Sequence, residues 1–290
     1  MGTMSILVTG ATGFVGRNVV RQLVERGEGV RALTRNPGTA SLPAEVEVVR
    51  GDLAEPASLA SALKGVERMY LFPVDEAAEE VVALAKAAGV RRIVDLSAAS
   101  VTVGLHVNPV EAVVEAAGLE WTHVRPCGFM ANMLQIWAPM VREAREVRYP
   151  FADEPMNLIH EADIAAVAVA ALLEDGHDGA AYTLTGPAPV TVREQVAAIG
   201  AALGEPVRYT EVTREEARSI LKAQGGFAAE SADLMLGFVD YGGAAASGAD
   251  GYADQDWSAL LKPWPDGERV LGRPARSYAE WARDHVADFR

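Results

Sequence analysis

Short β-branched and apolar runs recur along the first 125 residues, at Ser5 to Thr9, Val30 to Thr34, Val46 to Val49, Arg68 to Phe72, Arg92 to Leu96 and Trp121 to Val124. Their length and composition predict strands. Between them, Gly13 to Arg26, Leu59 to Lys64, Asp75 to Ala88 and Pro109 to Ala117 have helical length. Gly27, Gly65, Gly89 and Gly118 follow these segments, where a helix ends on a left-handed residue. A β/α alternation of this extent predicts an α/β fold of the Rossmann type, a doubly wound parallel sheet with helices on both faces.

After Pro126 the rhythm breaks. Phe129 to Arg148 is rich in Met, Trp and Phe, and Asn157 to Ile159 suggests a return strand. A helix over Ala162 to Leu173, a strand over Tyr182 to Thr185 and a helix over Val192 to Leu203 behind the cap candidate Thr191 follow. Residues 213 to 262 are helical in pattern but interrupted by Gly225-Gly226 and Gly242-Gly243, which predicts a helical substrate lobe or lid. The expected organisation is a nucleotide-binding core over 1–150, and a mixed 151–290 segment that returns elements to the core and forms the smaller lobe.

Three glycines stand between the first strand and the first helix, in Thr9-Gly10-Ala11-Thr12-Gly13-Phe14-Val15-Gly16. Gly10 permits a tight turn, Gly13 lets the backbone approach phosphates, Gly16 lets the helix pack on the sheet, and the helix-start amides face the anion. The spacing is G-x-x-G-x-x-G, not G-x-G-x-x-G, so the position between strand and helix carries the argument for a dinucleotide. At the end of the second strand, Leu33-Thr34-Arg35-Asn36-Pro37 has no acid to hold a ribose 2′-hydroxyl. Arg35 instead offers a forked cation to a 2′-phosphate, which predicts NADPH over NADH. Asp52, before Leu53, either reaches the adenine amino group with Leu53 over its face or caps the helix after Pro56. Phe72-Pro73 and Ser97-Ala98 end the fourth and fifth strands and should flank the nicotinamide ribose.

The chain has 290 residues, half of them apolar, and a net charge of −14 without a basic patch, which disfavours nucleic acid and anionic membranes as partners. No apolar run reaches the ~18 residues of a membrane span. Cys127 is the single cysteine, so neither an internal disulfide nor a multi-cysteine metal site is expected. With no readable signal peptide, that points to the cytoplasm.

Taken together, these residues resemble the atypical short-chain dehydrogenases called NmrA-like, which include NADPH quinone reductases and redox-sensing regulators. The resemblance rests on Thr9 to Gly13, Arg31 to Arg35, Gly51 to Leu53, Ala87 to Val90, Trp121 to Pro126 with Phe129 and Asn132, Leu184 to Pro187, Gly272 to Pro274 and Glu280-Trp281. It implies that Gly10, Thr12, Gly13, Phe14, Val15, Arg35, Asp52, Leu53, Phe72, Pro73, Ser97, Ala98, Pro126 and Phe129 line the cofactor.

One departure matters. The Tyr and Lys that conventional short-chain reductases use as acid are absent between Ser97 and Gly118, where Gly104 and Asn108 fall instead with His106 between them. A simple ketone reduced there would be left as an alkoxide. A quinone or conjugated aromatic acceptor gives a delocalised anion, so hydride transfer from NADPH to such a small molecule is the expected chemistry. Ser97 and His106 are the catalytic candidates, His106 as proton donor. Phe129, Asn132, Met133 and Trp137, with His106, are candidates for the substrate wall, although their spacing equally suits a core helix. The aromatic character of this stretch, and the arginine-over-lysine, alanine-rich composition of a GC-rich genome, point to a hydroxyanthraquinone-type polyketide. A sensor that binds NADP and catalyses nothing is the other reading. A monomer and a homodimer are both compatible with the sequence.

Overall fold

A computed structural model describes residues 5–239 and 256–290; Gly242-Gly243 lies outside them. The chain begins β1 (Ser5–Val8), α1 (Phe14–Glu25), β2 (Gly29–Thr34), β3 (Glu47–Arg50), α2 (Ala60–Leu63), β4 (Val66–Leu71), α3 (Ala78–Ala88), β5 (Arg92–Leu96), α4 (Ala99–Thr102), α5 (Pro109–Ala116) and β6 (Glu120–Pro126). It then leaves the sheet through α6 (Asn132–Ile136), α7 (Ala138–Ala144), β7 (Glu146–Tyr149) and β8 (Pro155–Met156). It returns with α8 (Glu161–Leu173) and β9 (Ala180–Leu184). Beyond β9 come β10 (Val190–Thr191), α9 (Val192–Leu203), β11 (Arg208–Glu211), α10 (Arg214–Gln224), α11 (Gly226–Met235), α12 (Ser258–Leu261), α13 (Asp266–Leu271) and α14 (Tyr278–Asp284).

The main sheet runs β3-β2-β1-β4-β5-β6-β9 with every neighbouring pair parallel. Strand order reverses between β1 and β4, and at such a switch point an open sheet leaves a ligand crevice at the strands' carboxyl ends. One face packs α1 and α8 on Val8, Tyr70, Val94 and Val124. The other carries Leu63, Val81, Val110 and Val114 against Leu7, Met69 and Ile93. All four glycines expected to close helices have positive φ. A separate apolar core joins Met130, Trp137, Val147, Val196, Leu221 and Trp281 in the lobe. The return strand expected at Asn157 to Ile159 is one bridge only, Phe129 to Ile159, because only Ile159 of the three pairs its backbone there, its N–H on Gly128 at 2.9 Å and its carbonyl on the Met130 N–H at 3.0 Å. No helix among the described residues is long and apolar enough to cross a membrane.

Helix α8 is apolar on nearly every side because it lies between the sheet, α1 and α13. Its cap is His160, whose Nδ1 accepts the Ala162 N–H at 3.1 Å. Asp163 holds the C-terminal segment instead. It accepts Arg273 Nη2 and the Arg276 N–H, each at 2.6 Å, as well as the Arg276 guanidinium.

The buried Glu161 carboxylate faces His285 Nε2 at 2.6 Å, and His285 Nδ1 faces Asp288 at 3.0 Å. Burial alone would raise the Glu161 pKa, but the flanking His160 and His285 hold it down at about 2. Burial would likewise discharge His285, yet Glu161 and Asp288 raise it above the ordinary imidazole value. The depressed carboxyl contributes stability above about pH 4.5, and this is lost as pH falls toward 2. The raised imidazole contributes below about pH 6.5, and this is lost as pH climbs through its elevated pKa. The α8–α14 junction should therefore be tightest between about pH 4.5 and 6.5. Amide hydrogen exchange in α14, corrected for intrinsic rates, is expected to rise on both sides of that window; pH-independent protection would contradict this.

Candidate functional site

The turn after β1 is bound to the end of β4 by one side chain. Thr9 Oγ1 donates to the Tyr70 carbonyl at 3.0 Å and accepts the Phe72 N–H at 2.7 Å. Gly10 then turns with φ +58°, where a Cβ would also press on Phe72. A Cβ on Gly16 would lie 2.1 Å from the Gly10 carbonyl oxygen, so helix and turn approach closer than any other residue permits. Helix α1 starts after Gly13 with no side-chain cap and no acid in its first turn. Its leading amides are therefore open to an anion. Thr12 and Gly13 are exposed, Phe14 half-buried, and Val15 buried, so Val15 offers only its backbone.

Arg17 was missed in the sequence. Its Nη2 donates to the Thr12 carbonyl at 2.7 Å and its Nε to Gly13 at 3.3 Å, with the guanidinium carbon 5.5 Å from the centre of the Phe14 ring. It sets a cation beside the turn, and its place four residues after Gly13 on a helix was the available signal.

Arg35, just past β2, is exposed and makes no hydrogen bond or ion pair among the described residues. Asp52, past the neighbouring β3, uses one carboxylate oxygen to accept the Ala54 N–H at 3.0 Å. That is a local turn and not the cap expected for the helix after Pro56, whose N-cap is Glu55 without a side-chain bond, and it leaves the second oxygen for a ligand. Leu53 is only 7% exposed and faces Leu71 and Val110, so it is a core residue rather than a cover for a ring. Phe72 at 44% and Val107 at 83% are the exposed large apolar residues among those described, with Pro73 half-exposed beside Phe72.

Ser97 closes β5 with Ala98, half-buried, after it. The Ser97 N–H bonds the Val124 carbonyl at 2.7 Å. Its hydroxyl accepts from Asn108 Nδ2 at 2.9 Å, and Glu111, on the helix that Asn108 caps, is gripped by Arg125 Nε and Nη2 at 2.8 and 2.7 Å. Ser97 Oγ thus accepts from Asn108 and keeps its own proton to give. Behind it, His123 Nδ1 and Asp95 meet at 2.6 Å with no exposure. Glu111 and Arg125 were not picked out from the sequence, and Asn108 only as standing where the absent Tyr and Lys would fall. The cue was Asn108-Pro109, which reads as a helix cap followed by an N1 proline, and Asn108 does cap α5. His106 is half-buried in the loop leading to Asn108.

Beyond β6, Pro126 is buried, while Phe129 and Asn132 keep partial exposure. Met133, at 2%, and Trp137, at 0%, are corrections: both lie inside the lobe core, Trp137 edge-on to Tyr149 at 5.6 Å, and cannot line a substrate. Phe227, Met235 and Phe238 also pack on that core. Burial has raised the Cys127 thiol to about 12, so it is inert.

Residues 2–241 match a family model described as the NmrA-like family. Over 98% of its length the chain is 38% identical to a (4-alkanoyl-5-oxo-2,5-dihydrofuran-3-yl)methyl phosphate reductase of Streptomyces griseus, covering 99% of that protein. It is 36% identical over 98% of its length to an NAD(P)H azoreductase of Xenophilus azovorans, again covering 99%. The crystal structure of an NADPH-dependent quinone oxidoreductase from Escherichia coli complexed with NADPH superposes with a TM-score of 0.75 at 25% identity, over 97% of this chain and 99% of that one.

Proposed function

The chain belongs to the NmrA-like family, and on that premise we propose that it is an NADPH-dependent reductase that delivers hydride to a small, electron-poor conjugated acceptor. The observation that carries the acceptor class is the stretch from Ser97 to Gly118, which holds neither the Tyr nor the Lys that a ketone reductase uses as its acid. Hydride addition to a conjugated system leaves a delocalised anion that takes its proton without a strong buried donor. The names of the similar proteins fit this chemistry: an alkanoyl-substituted oxodihydrofuran, an azo compound and a quinone are all conjugated acceptors.

The open amides of α1 hold the diphosphate and Arg35 meets the 2′-phosphate. The nicotinamide lies at the carboxyl edge between Phe72 and Ser97. When bound, NADPH supplies the hydride, and the protein supplies proximity and orientation. The substrate rests among Phe72, Val107, Phe129 and Asn132, with His106 as proton donor at the rim. Within the class we favour flat acceptors such as hydroxyanthraquinones, because the exposed apolar side chains are a ring and a branched chain on one sheet edge.

The test is NADPH consumption with a panel of butenolides, azo dyes, benzoquinones, naphthoquinones and hydroxyanthraquinones. Turnover is expected with at least one conjugated acceptor and not with isolated ketones. On that acceptor His106→Ala should slow turnover, by less than the ~10²-fold a required general acid contributes, because the delocalised anion also takes its proton from water. No NADPH oxidation across the panel would end the proposal, and an unchanged rate would remove His106.

A further inference from the structure

Arg17 fastens the turn between β1 and α1. Its Nη2 donates to the Thr12 carbonyl at 2.7 Å, and the Gly13 carbonyl takes both the Arg17 backbone N–H at 3.0 Å and its Nε at 3.3 Å. Two consecutive carbonyls of the turn thus end on one residue. The guanidinium carbon lies 5.5 Å from the centre of the Phe14 ring, within reach of a cation–π contact, so the exposed side chain is held from a second direction.

A trans peptide is planar, with its carbonyl and the following N–H pointing opposite ways. Gripping the Thr12 carbonyl therefore turns the Gly13 N–H away from Arg17, onto the Gly10 oxygen at 3.0 Å. Gripping the Gly13 carbonyl turns the Phe14 N–H away in the same manner, toward the uncapped end of α1. These peptide planes sit in a segment where Gly10 and Gly13 leave the unbraced backbone many conformations. Holding it in place before a ligand arrives removes part of the ordering cost of binding. The guanidinium stands on the carbonyl side of the planes, opposite the side from which the Phe14 amide meets an anion.

We propose that Arg17 is a positioning residue for the cofactor diphosphate: by fastening the Thr12 and Gly13 carbonyls it aims the amides of the turn, without itself touching the phosphates. The inference rests on the NADPH-dependent reading above. NADPH and NADH share the diphosphate and differ in the 2′-phosphate, so a residue acting through the turn affects both, whereas Arg35 affects NADPH alone.

The experiment measures the dissociation constants of NADPH and NADH by calorimetry, with no acceptor present, for the unaltered chain, Arg17→Ala and Arg17→Lys, together with their unfolding temperatures. Arg17→Ala is expected to weaken both nucleotides by the same factor, about five- to tenfold. A loss confined to NADPH would assign Arg17 to the 2′-phosphate and overturn the positioning role. Arg17→Lys keeps the charge but not the planar fork, so it should stay within about twofold of Arg17→Ala. Full recovery by lysine would show that charge alone acts, and would overturn the role as well.

A merely structural brace predicts a lower unfolding temperature with both affinities unchanged. Should Arg17→Ala fail to fold, Arg17→Lys decides: equal losses for the two nucleotides support the proposal and unchanged affinities overturn it. If the unaltered chain binds both nucleotides and Arg17→Ala binds them equally well, the positioning role is wrong and the reductase reading stands. If the unaltered chain binds neither, both fall.

Discussion

Gly16→Ala is expected to weaken NADPH binding by at least about a hundredfold. The added methyl would lie 2.1 Å from the backbone oxygen of Gly10, and neither partner is a flexible side chain that can swing away. The strain is relieved only by moving the turn off the helix, which draws the open amides away from the diphosphate. Losing even two charge-assisted hydrogen bonds, at about 1.5–3 kcal/mol each, costs more than two decades of affinity at about 1.4 kcal/mol per decade. The same overlap should lower stability by about 1–3 kcal/mol. Gly27→Ala is the control. Gly27, unlike Gly16, has positive φ, and nothing lies within 4 Å of its Cβ position. It should cost roughly 1–2 kcal/mol of stability through backbone strain and leave NADPH affinity unchanged. Calorimetric titration and thermal unfolding of both variants separate the two effects, and equal NADPH affinity in Gly16→Ala and the unaltered chain would contradict the close-approach argument.

Arg35→Ala should erase the preference for the phosphorylated cofactor. The guanidinium is exposed, has no partner among the described residues, and follows the strand that lies next to β1. A forked bond to a dianionic phosphate is of the charge-assisted kind, about 1.5–3 kcal/mol, so the NADPH dissociation constant should rise about 10- to 100-fold while that of NADH stays within about twofold. Because the contact lies at the surface, the unaltered preference should also shrink with added salt. An NADPH affinity indifferent to Arg35→Ala would assign the 2′-phosphate to another cation, and Arg17, beside the turn, is the nearest named alternative.

Much of this framework could be read along the chain because the signals are local. The strand–glycine–helix junction at Gly10 to Gly16, the left-handed glycines behind the helices and the absence of an acid beside Arg35 all depend on residues within one turn of each other. The side chains after Pro126 were different. A Met or Trp at helical spacing shows that one face is buried but not against what, and here Met133 and Trp137 face the lobe core rather than the crevice. Leu53 misled in the same way. The polar group around Ser97 was out of reach for a topological reason: Asn108 and Glu111 lie on α5, and Arg125 arrives on β6, so only the parallel pairing of β5 with β6 brings them together. Asp163 in the first turn of α8 is likewise joined to two arginines more than a hundred residues away, a pairing only the fold brings about.

Catalysis and mere cofactor sensing differ in one observable. NADPH carrying deuterium at the transferable position of the nicotinamide should lose it to an accepted conjugated substrate, giving NADP+ without the label and, where hydride adds to a carbon that does not exchange, one deuterium per product molecule, as read by mass spectrometry. NADPH that binds tightly while its deuterium never leaves the nicotinamide with any acceptor would contradict the account and leave a protein that senses the nucleotide without using it.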